Sequence, residues 1–218
     1  KAGMQMDVLK ELEDHVVAGE TSDVRELVQG ALNQGIGADT ILSDGLFAGM
    51  YVVSELFREE ELYVPQVLLA AKAMQAGITV LQPVLEQTGK ERNLGKIILG
   101  TVKGDVHNLG KKLVDIMLRG AGFEVVDIGE NVSPERFVEA ALSEKPQLIG
   151  MSALLTTTMP YLAATIEALE QAGLKNRIRT MVGGACVTQE YADQIGADAY
   201  GENAGAAVDN ARRLLEIG

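Results

Sequence analysis

Residues 96–117, KIILGTVKGDVHNLGKKLVDIM, decide how the rest of the chain is read. The first seven are apolar and rich in branched side chains, as in a strand buried on both faces. A polar turn follows. Then Leu109, Leu113, Val114, Ile116 and Met117 recur at helical spacing and run out near Gly120 and Gly122. This strand–loop–helix unit repeats. FEVVDIG (123–129) reads as a second strand, and Ser133 and Pro134 as the N-cap and first residue of a helix to about Ser143. QLIGMS (147–152) is a third strand, followed by a helix from about Met159 to Ala172 that Gly173 closes. RTMVGG (179–184) is a fourth, with a short helix after Thr188; ADAY (197–200) is a fifth, before a closing helix over 204–217. The alternation predicts an α/β domain with a five-stranded parallel, doubly wound sheet, of Rossmann or flavodoxin type. Right-handed crossovers put helices on both faces, and ligands bind beyond the carboxyl ends of the strands.

Residues 1–90 follow a different period. Met6, Leu9, Leu12 and Val16 step by three and four and stop at Gly19. Val24, Leu27, Val28, Ala31 and Leu32 do so before Gly35. Leu42, Leu46, Gly49, Met50, Val53 and Phe57 mark a third amphipathic helix, and Val67, Ala71, Met74, Ile78, Leu81 and Leu85 a fourth. Pro65 sits near the start of that last helix, where a missing N–H costs little, and Pro83 is expected to kink or end it. Four helices joined by short turns predict an antiparallel bundle. The polar stretch 86–93, EQTGKERN, reads as a linker, so the expected domains are 1–90 and 91–218.

Charge and composition exclude several functions. The chain has 218 residues, 19 basic and 31 acidic side chains, and a formal net charge of −12, a poor match to a phosphate backbone or an anionic membrane. No nucleic-acid or membrane partner is expected, since no apolar run reaches the roughly 18–20 residues of a spanning helix. The opening KAGMQMDVLKELED has no apolar signal core, which predicts a cytoplasmic protein. The single cysteine, Cys186, rules out an internal disulfide and a thiolate-rich zinc site. His15, on the polar side of the first helix, reads as solvated, and His107 is the one other histidine.

Three loops should open on one sheet edge: GDVHNLGKKLV after the first strand, SALLTTTMP after the third, and GGACVT after the fourth. His107 could be an ordinary exposed residue. Asp105, two residues earlier, is close enough to hold one imidazole nitrogen and leave the other for a metal. One histidine is too few for zinc but suffices as the axial ligand of a macrocycle that supplies its own equatorial nitrogens, heme-like or corrinoid. Gly110, Gly183 and Gly184 suit either turn geometry or close approach by a long ligand. Ser152 and Thr156 can offer hydroxyls to a polar ligand, while Thr158 could equally be the N-cap of the next helix. Cys186 reads as a packed side chain.

Taken together, Asp105-x-His107-x-x-Gly110, then Ser152-x-Leu154, then Gly183–Gly184 resembles the cobalamin-binding signature of methionine synthase and the corrinoid methyl-carrier proteins. The resemblance extends to ELFREEELYVPQVLLAAKAM (55–74), similar to the helical cap those proteins place over the corrin, and to IGADAYGENAGAAV (195–208), similar to the corrinoid proteins of methylamine, methanol and betaine systems. It implies a bound cobalamin in base-off, His-on form, with His107 as the lower axial ligand to cobalt, Asp105 bonded to His107, and Thr158 bonded to Asp105. Thr158 stands where methionine synthase has a Ser, so a hydroxyl is kept. The nucleotide tail would run past Gly110, Ser152, Leu154, Thr156, Gly183 and Gly184. Phe57 and Val64 match positions that shield the methyl face, although periodicity alone would equally make them bundle core.

The implied function is that of a corrinoid protein, not catalytic alone. It would carry a methyl group on cobalt from a substrate-specific methyltransferase to a second methyltransferase, whose acceptor is a thiol or tetrahydrofolate, with a reductive activator as a further partner. The rivals are a cobalamin-dependent sensor or regulator, which usually adds a basic helix-turn-helix absent from this acidic sequence, and an adenosylcobalamin mutase subunit. Without the signature, a flavodoxin-like nucleotide binder would remain, although few aromatic residues are present to stack on a flavin.

Overall fold

The computed structural model describes residues 2–88 and 94–217, which divide between two compact units: 2–88 with 120–122, and 94–119 with 123–217. Of the expected linker, 89–93 lie outside the described residues.

In the first unit α1 (Ala2–Ala18) packs along α2 (Thr21–Asn33). The third amphipathic segment is one helical stretch in three parts: α3 (Ala38–Ile41), a π-helical segment (Leu42–Phe47) and α4 (Ala48–Arg58). The last helix, α5 (Val64–Thr88), packs on α2, and α4 packs on α1. Leu12, Val16, Val24, Val28, Ile41, Leu46, Val53, Val67 and Leu81 are fully buried between them. Small residues set the spacing. A Cβ on Gly49 would stand 2.7 Å from the Val16 Cβ, and one on Gly77 the same distance from Leu46 Cδ2.

Two sequence expectations change here. Of the two outcomes expected at Pro83, a kink or an end, the end does not occur, and the helix continues to Thr88. The N–H that Pro83 lacks would have served the carbonyl of Thr79, and both residues lie on the exposed side, where water can take that carbonyl. Second, the helical stretches Ala38–Arg58 and Val64–Leu85 are long and apolar enough to cross a bilayer by length and composition. Each turns a fully buried stripe into the bundle, as a core helix does.

The second unit carries five parallel strands in the order β2-β1-β3-β4-β5: β1 (Lys96–Thr101), β2 (Glu124–Asp127), β3 (Leu148–Ser152), β4 (Arg179–Gly183) and β5 (Ala199–Gly201). The helices are α6 (Leu109–Gly120), α7 (Pro134–Glu144), α8 (Pro160–Gln171), α9 (Gln189–Gln194) and α10 (Ala204–Leu214). This order is the flavodoxin-like form of the doubly wound sheet, with its switch point between β1 and β3. Ile98, Ile149, Met151 and Val182 pack with Phe137, Leu162 and Ile166, while the alternate strand positions Ile97, Leu99, Leu148 and Met181 are also buried. Both faces are therefore covered, as a parallel sheet requires. Gly100 makes room for Phe137, whose Cζ would lie 2.6 Å from an added Cβ.

Local signals act as read at α7, where the Ser133 side chain accepts from Arg136 N at 3.3 Å, and at α9, where Thr188 accepts from Tyr191 N at 3.2 Å. The fifth strand starts two residues later than expected. Asp198 already meets Thr180 of β4 by its backbone N–H, which donates to Thr180 O at 2.9 Å, and by its carboxylate, which accepts from Thr180 N at 2.7 Å and from Thr180 Oγ1 at 2.9 Å; the paired register itself begins at Ala199.

Candidate functional site

The strand register brings the three loops to one edge. Thr101 is the lateral partner of Ser152, Ser152 of Gly183, and Gly183 of Gly201. The loops after β1 and β3 flank the switch point, where a ligand meets no crossover helix.

Asp105 joins those two loops. It is fully buried, and its carboxylate accepts from five donors. Oδ1 takes the His107 backbone N–H at 3.0 Å and Nδ1–H at 2.7 Å. Oδ2 takes Leu154 N at 2.7 Å, Thr158 Oγ1 at 2.9 Å and, at the long limit, Leu155 N at 3.4 Å. Burial alone pushes this carboxyl up. The His107 and Leu154 N–H groups, then the His107 and Thr158 side chains, outweigh burial and hold it well below the usual carboxylate range. The Thr158 hydroxyl lies 2.8 Å from Leu155 O as well, so its single proton is shared between two acceptors. Thr158 is not the N-cap of α8, because Met159 precedes Pro160 with helical backbone angles and no side-chain cap.

With Nδ1–H donated to Asp105, the neutral His107 ring keeps its lone pair on Nε2. The side chain is 49% exposed, and these loops also expose four apolar side chains, Val106, Leu109, Leu154 and Leu155. The loop is also tied by its backbone. Thr101 Oγ1 donates to His107 O at 3.0 Å, Asn131 N to Asp105 O at 2.9 Å, and Gly104 N to Asn131 Oδ1 at 2.8 Å. The sequence reading missed Thr101 and Asn131. An apolar strand end and a Gly-Glu-Asn turn carry no motif, although Asn at φ 53° is a left-handed position that Asn tolerates.

Other expected residues separate by what surrounds them. Gly110 is exposed on the first turn of α6, and a Cβ there would meet nothing within 4 Å. Gly183 faces Gly201 O at 2.8 Å from a Cβ position. Gly184, at φ 125°, would drive a Cβ to 1.9 Å from Ala153 O, so here it is the protein's own backbone that requires glycine. Ser152 is half-buried at the end of β3, and Thr156 is exposed on the following loop. Cys186 is half-buried, its Sγ 3.5 Å from Ala153 O, and burial raises its thiol. His15 is half-buried, with Nδ1 2.5 Å from Glu20 Oε2, and so is paired. Phe57 and Val64 belong to the helical unit, at the two ends of the turn from α4 to α5. Both are half-buried and stand apart from the fully buried bundle core.

The family of B12 binding domains matches residues 95–209, and a second B12 binding domain model matches 8–82. Trimethylamine corrinoid protein 2 of Methanosarcina mazei is 45% identical over 194 residues, 88% of this chain and 89% of that protein. The chain belongs to the corrinoid protein family. Dimethylamine corrinoid protein 2 of the same organism is 44% identical over 209 residues, 96% of this chain and 97% of the relative. Among solved structures, the methanol:cobalamin methyltransferase complex from Methanosarcina barkeri superposes with a TM-score of 0.84 at 31% identity, covering 96% of this chain and 80% of that one. A cobalamin-binding protein from Desulfitobacterium hafniense gives 0.80 at 27%, covering 94% and 98%.

The corrinoid-protein residues fit the group this family holds. An exposed imidazole with Nδ1 held by Asp105, exposed apolar side chains on the flanking loops and an uncrowded Gly110 leave room for a flat macrocycle. Replacing Asp105 with Asn tests the junction itself. The new NH2 must face either the His107 donors or the Leu154 and Thr158 donors, leaving a buried clash of donors. Asp105→Asn is expected to destabilise the α/β unit by about 1–3 kcal/mol in urea unfolding of the cofactor-free protein. Wild-type stability would show that these donors find other partners.

Proposed function

We propose that this chain is a methyl carrier, which takes a methyl group from a substrate-specific methyltransferase and passes it to a second methyltransferase acting on a thiol or tetrahydrofolate. A bound corrinoid would supply a cobalt centre able to accept a methyl group and give it up again. Relatives named for trimethylamine and dimethylamine support a methylamine as the donor. A reductive activator would restore the cofactor after adventitious oxidation.

The observation that carries this reading is the Asp105–His107 pair. Asp105 holds Nδ1–H and fixes the ring, so Nε2 can act as the lower axial ligand in place of the cofactor's own base. Thr158 holds the Asp105 carboxylate in place. The displaced nucleotide tail would pass Gly110, Ser152, Leu154, Thr156, Gly183 and Gly184. Phe57 and Val64 would exclude water and oxidants from the methyl-bearing side. Their half-burial supports this, because a bundle-core role would bury them as it does Leu46 and Val53.

Two measurements test these assignments. After reconstitution with cobalamin, the electron paramagnetic resonance spectrum of the Co(II) form should show splitting by one axial nitrogen that changes when the protein is grown on 15N-histidine. The change should be absent in His107→Ala. Splitting that ignores the label would mean the cofactor keeps its own base. Phe57→Ala should speed oxidation of the reduced cofactor and photolysis of its methylated form. If both rates match wild type, the shielding role of Phe57 is wrong.

A further inference from the structure

Lys111 takes no part in the junction described above, yet its side chain is only 2% exposed. It is the third residue of α6, and a cation in the first turn of a helix opposes the helix dipole. Burial there is compensated by a defined set of acceptors. Nζ donates to Asp127 Oδ1 and, at 3.0 Å, to Gly129 O, and lies 3.6 Å from Glu130 Oε1. Asp127 Oδ1 also accepts from Gly129 N at 2.9 Å, and Glu130 Oε1 accepts from Asn108 Nδ2 at 3.0 Å. Asn108 and then Lys111 hold the Glu130 carboxyl below its usual range. These acceptors lie at the end of β2, at Asp127, and on the turn after it, at Gly129 and Glu130. The next residue of that turn, Asn131, holds Gly104 N and Asp105 O.

We propose that Lys111 is a positioning residue for His107, acting through the 127–131 turn. One ammonium on α6 fixes Asp127, Gly129 and Glu130, which sets where Asn131 meets the backbone on either side of Asp105. Gly129 O receives both Lys111 Nζ and Thr101 N, and the Thr101 hydroxyl in turn holds His107 O. Lys111 thereby links both backbone ties of the loop. Asp105 sets the direction of the imidazole; Lys111 sets the height of the loop that carries it. The consequence for cobalt rests on the proposed function, whereas the coupling between Lys111 and the loop stands without it.

The test uses the full chain. Lys111→Met keeps the apolar stem and removes the ammonium; Asn131→Gly keeps the left-handed backbone and removes the amide. In cofactor-free protein, Lys111→Met should speed amide hydrogen exchange at Gly104 and Asn131 at least about tenfold, with β4 unchanged. Asn131→Gly should do the same at Gly104, and the double variant should exceed it little, because both act through one contact. After loading with cobalamin, Lys111→Met should lower the fraction of Co(II) that shows an axial imidazole nitrogen. If Lys111→Met does not fold, Asp127→Asn replaces it, since it keeps an acceptor for Gly129 N and loses the charge facing Lys111. It too should speed exchange at Gly104. A lower melting temperature with wild-type exchange at Gly104 and an undiminished axial signal would overturn the proposal and leave Lys111 a stability residue only. An axial nitrogen missing from the wild type would instead defeat the functional reading, and the exchange data would still decide the coupling.

Discussion

A carboxylate taken out of water must be repaid in hydrogen bonds, and Asp105 is fully buried at the edge of the sheet. Its donors come from two loops that are far apart in sequence: His107 from the loop after β1, and Leu154, Leu155 and Thr158 from the loop after β3. The arrangement works only if β1 and β3 are neighbours and end level with each other. Their register, Thr101 opposite Ser152, meets that condition. The same carboxylate that must be satisfied also orients the imidazole, so folding and the placement of that ring depend on one group. Removing a donor leaves charge unpaired in a dry site, and removing the charge leaves donors unpaired.

The sheet order explains why this edge is open. At a switch point the crossovers leave to opposite faces, so the loops after β1 and β3 part and expose the space between them. Gly183 and Gly201 continue the row with backbone instead of side chains. The exposed apolar residues Val106, Leu109, Leu154 and Leu155 would be a liability on a bare surface. The cofactor proposed for this edge, flat and partly apolar, would cover them.

Much of this was legible from residue order alone. Strand–helix alternation gave the α/β class, and the Asp105-x-His107 spacing gave the pair, because both depend on local sequence. Other features depended on contacts that no local pattern records. Pro83 reads as a kink or an end, yet the helix runs on to Thr88, and Thr79, whose carbonyl the missing N–H would have served, is exposed. The third bundle helix reads as one regular element and contains a π-helical segment at Leu42–Phe47. Gly184 invites a ligand-based reading, and the structure supplies Ala153 O as the close neighbour. Lys111 belongs to no motif, and its buried ammonium meets its acceptors at Asp127 and Gly129, sixteen and eighteen residues away. Thr158 could have been a cap, and its hydroxyl went to Asp105 instead.

The central claim is that Asp105 fixes the His107 tautomer so that Nε2 is available to a metal before any metal arrives. Nitrogen NMR of the cofactor-free protein, labelled with 15N-histidine and held where the ring is neutral, measures this directly. The account predicts that Nδ1 carries the proton and Nε2 has the shift of a bare ring nitrogen, and that Asp105→Asn erodes this preference. A proton found on Nε2 in the wild-type protein would contradict it.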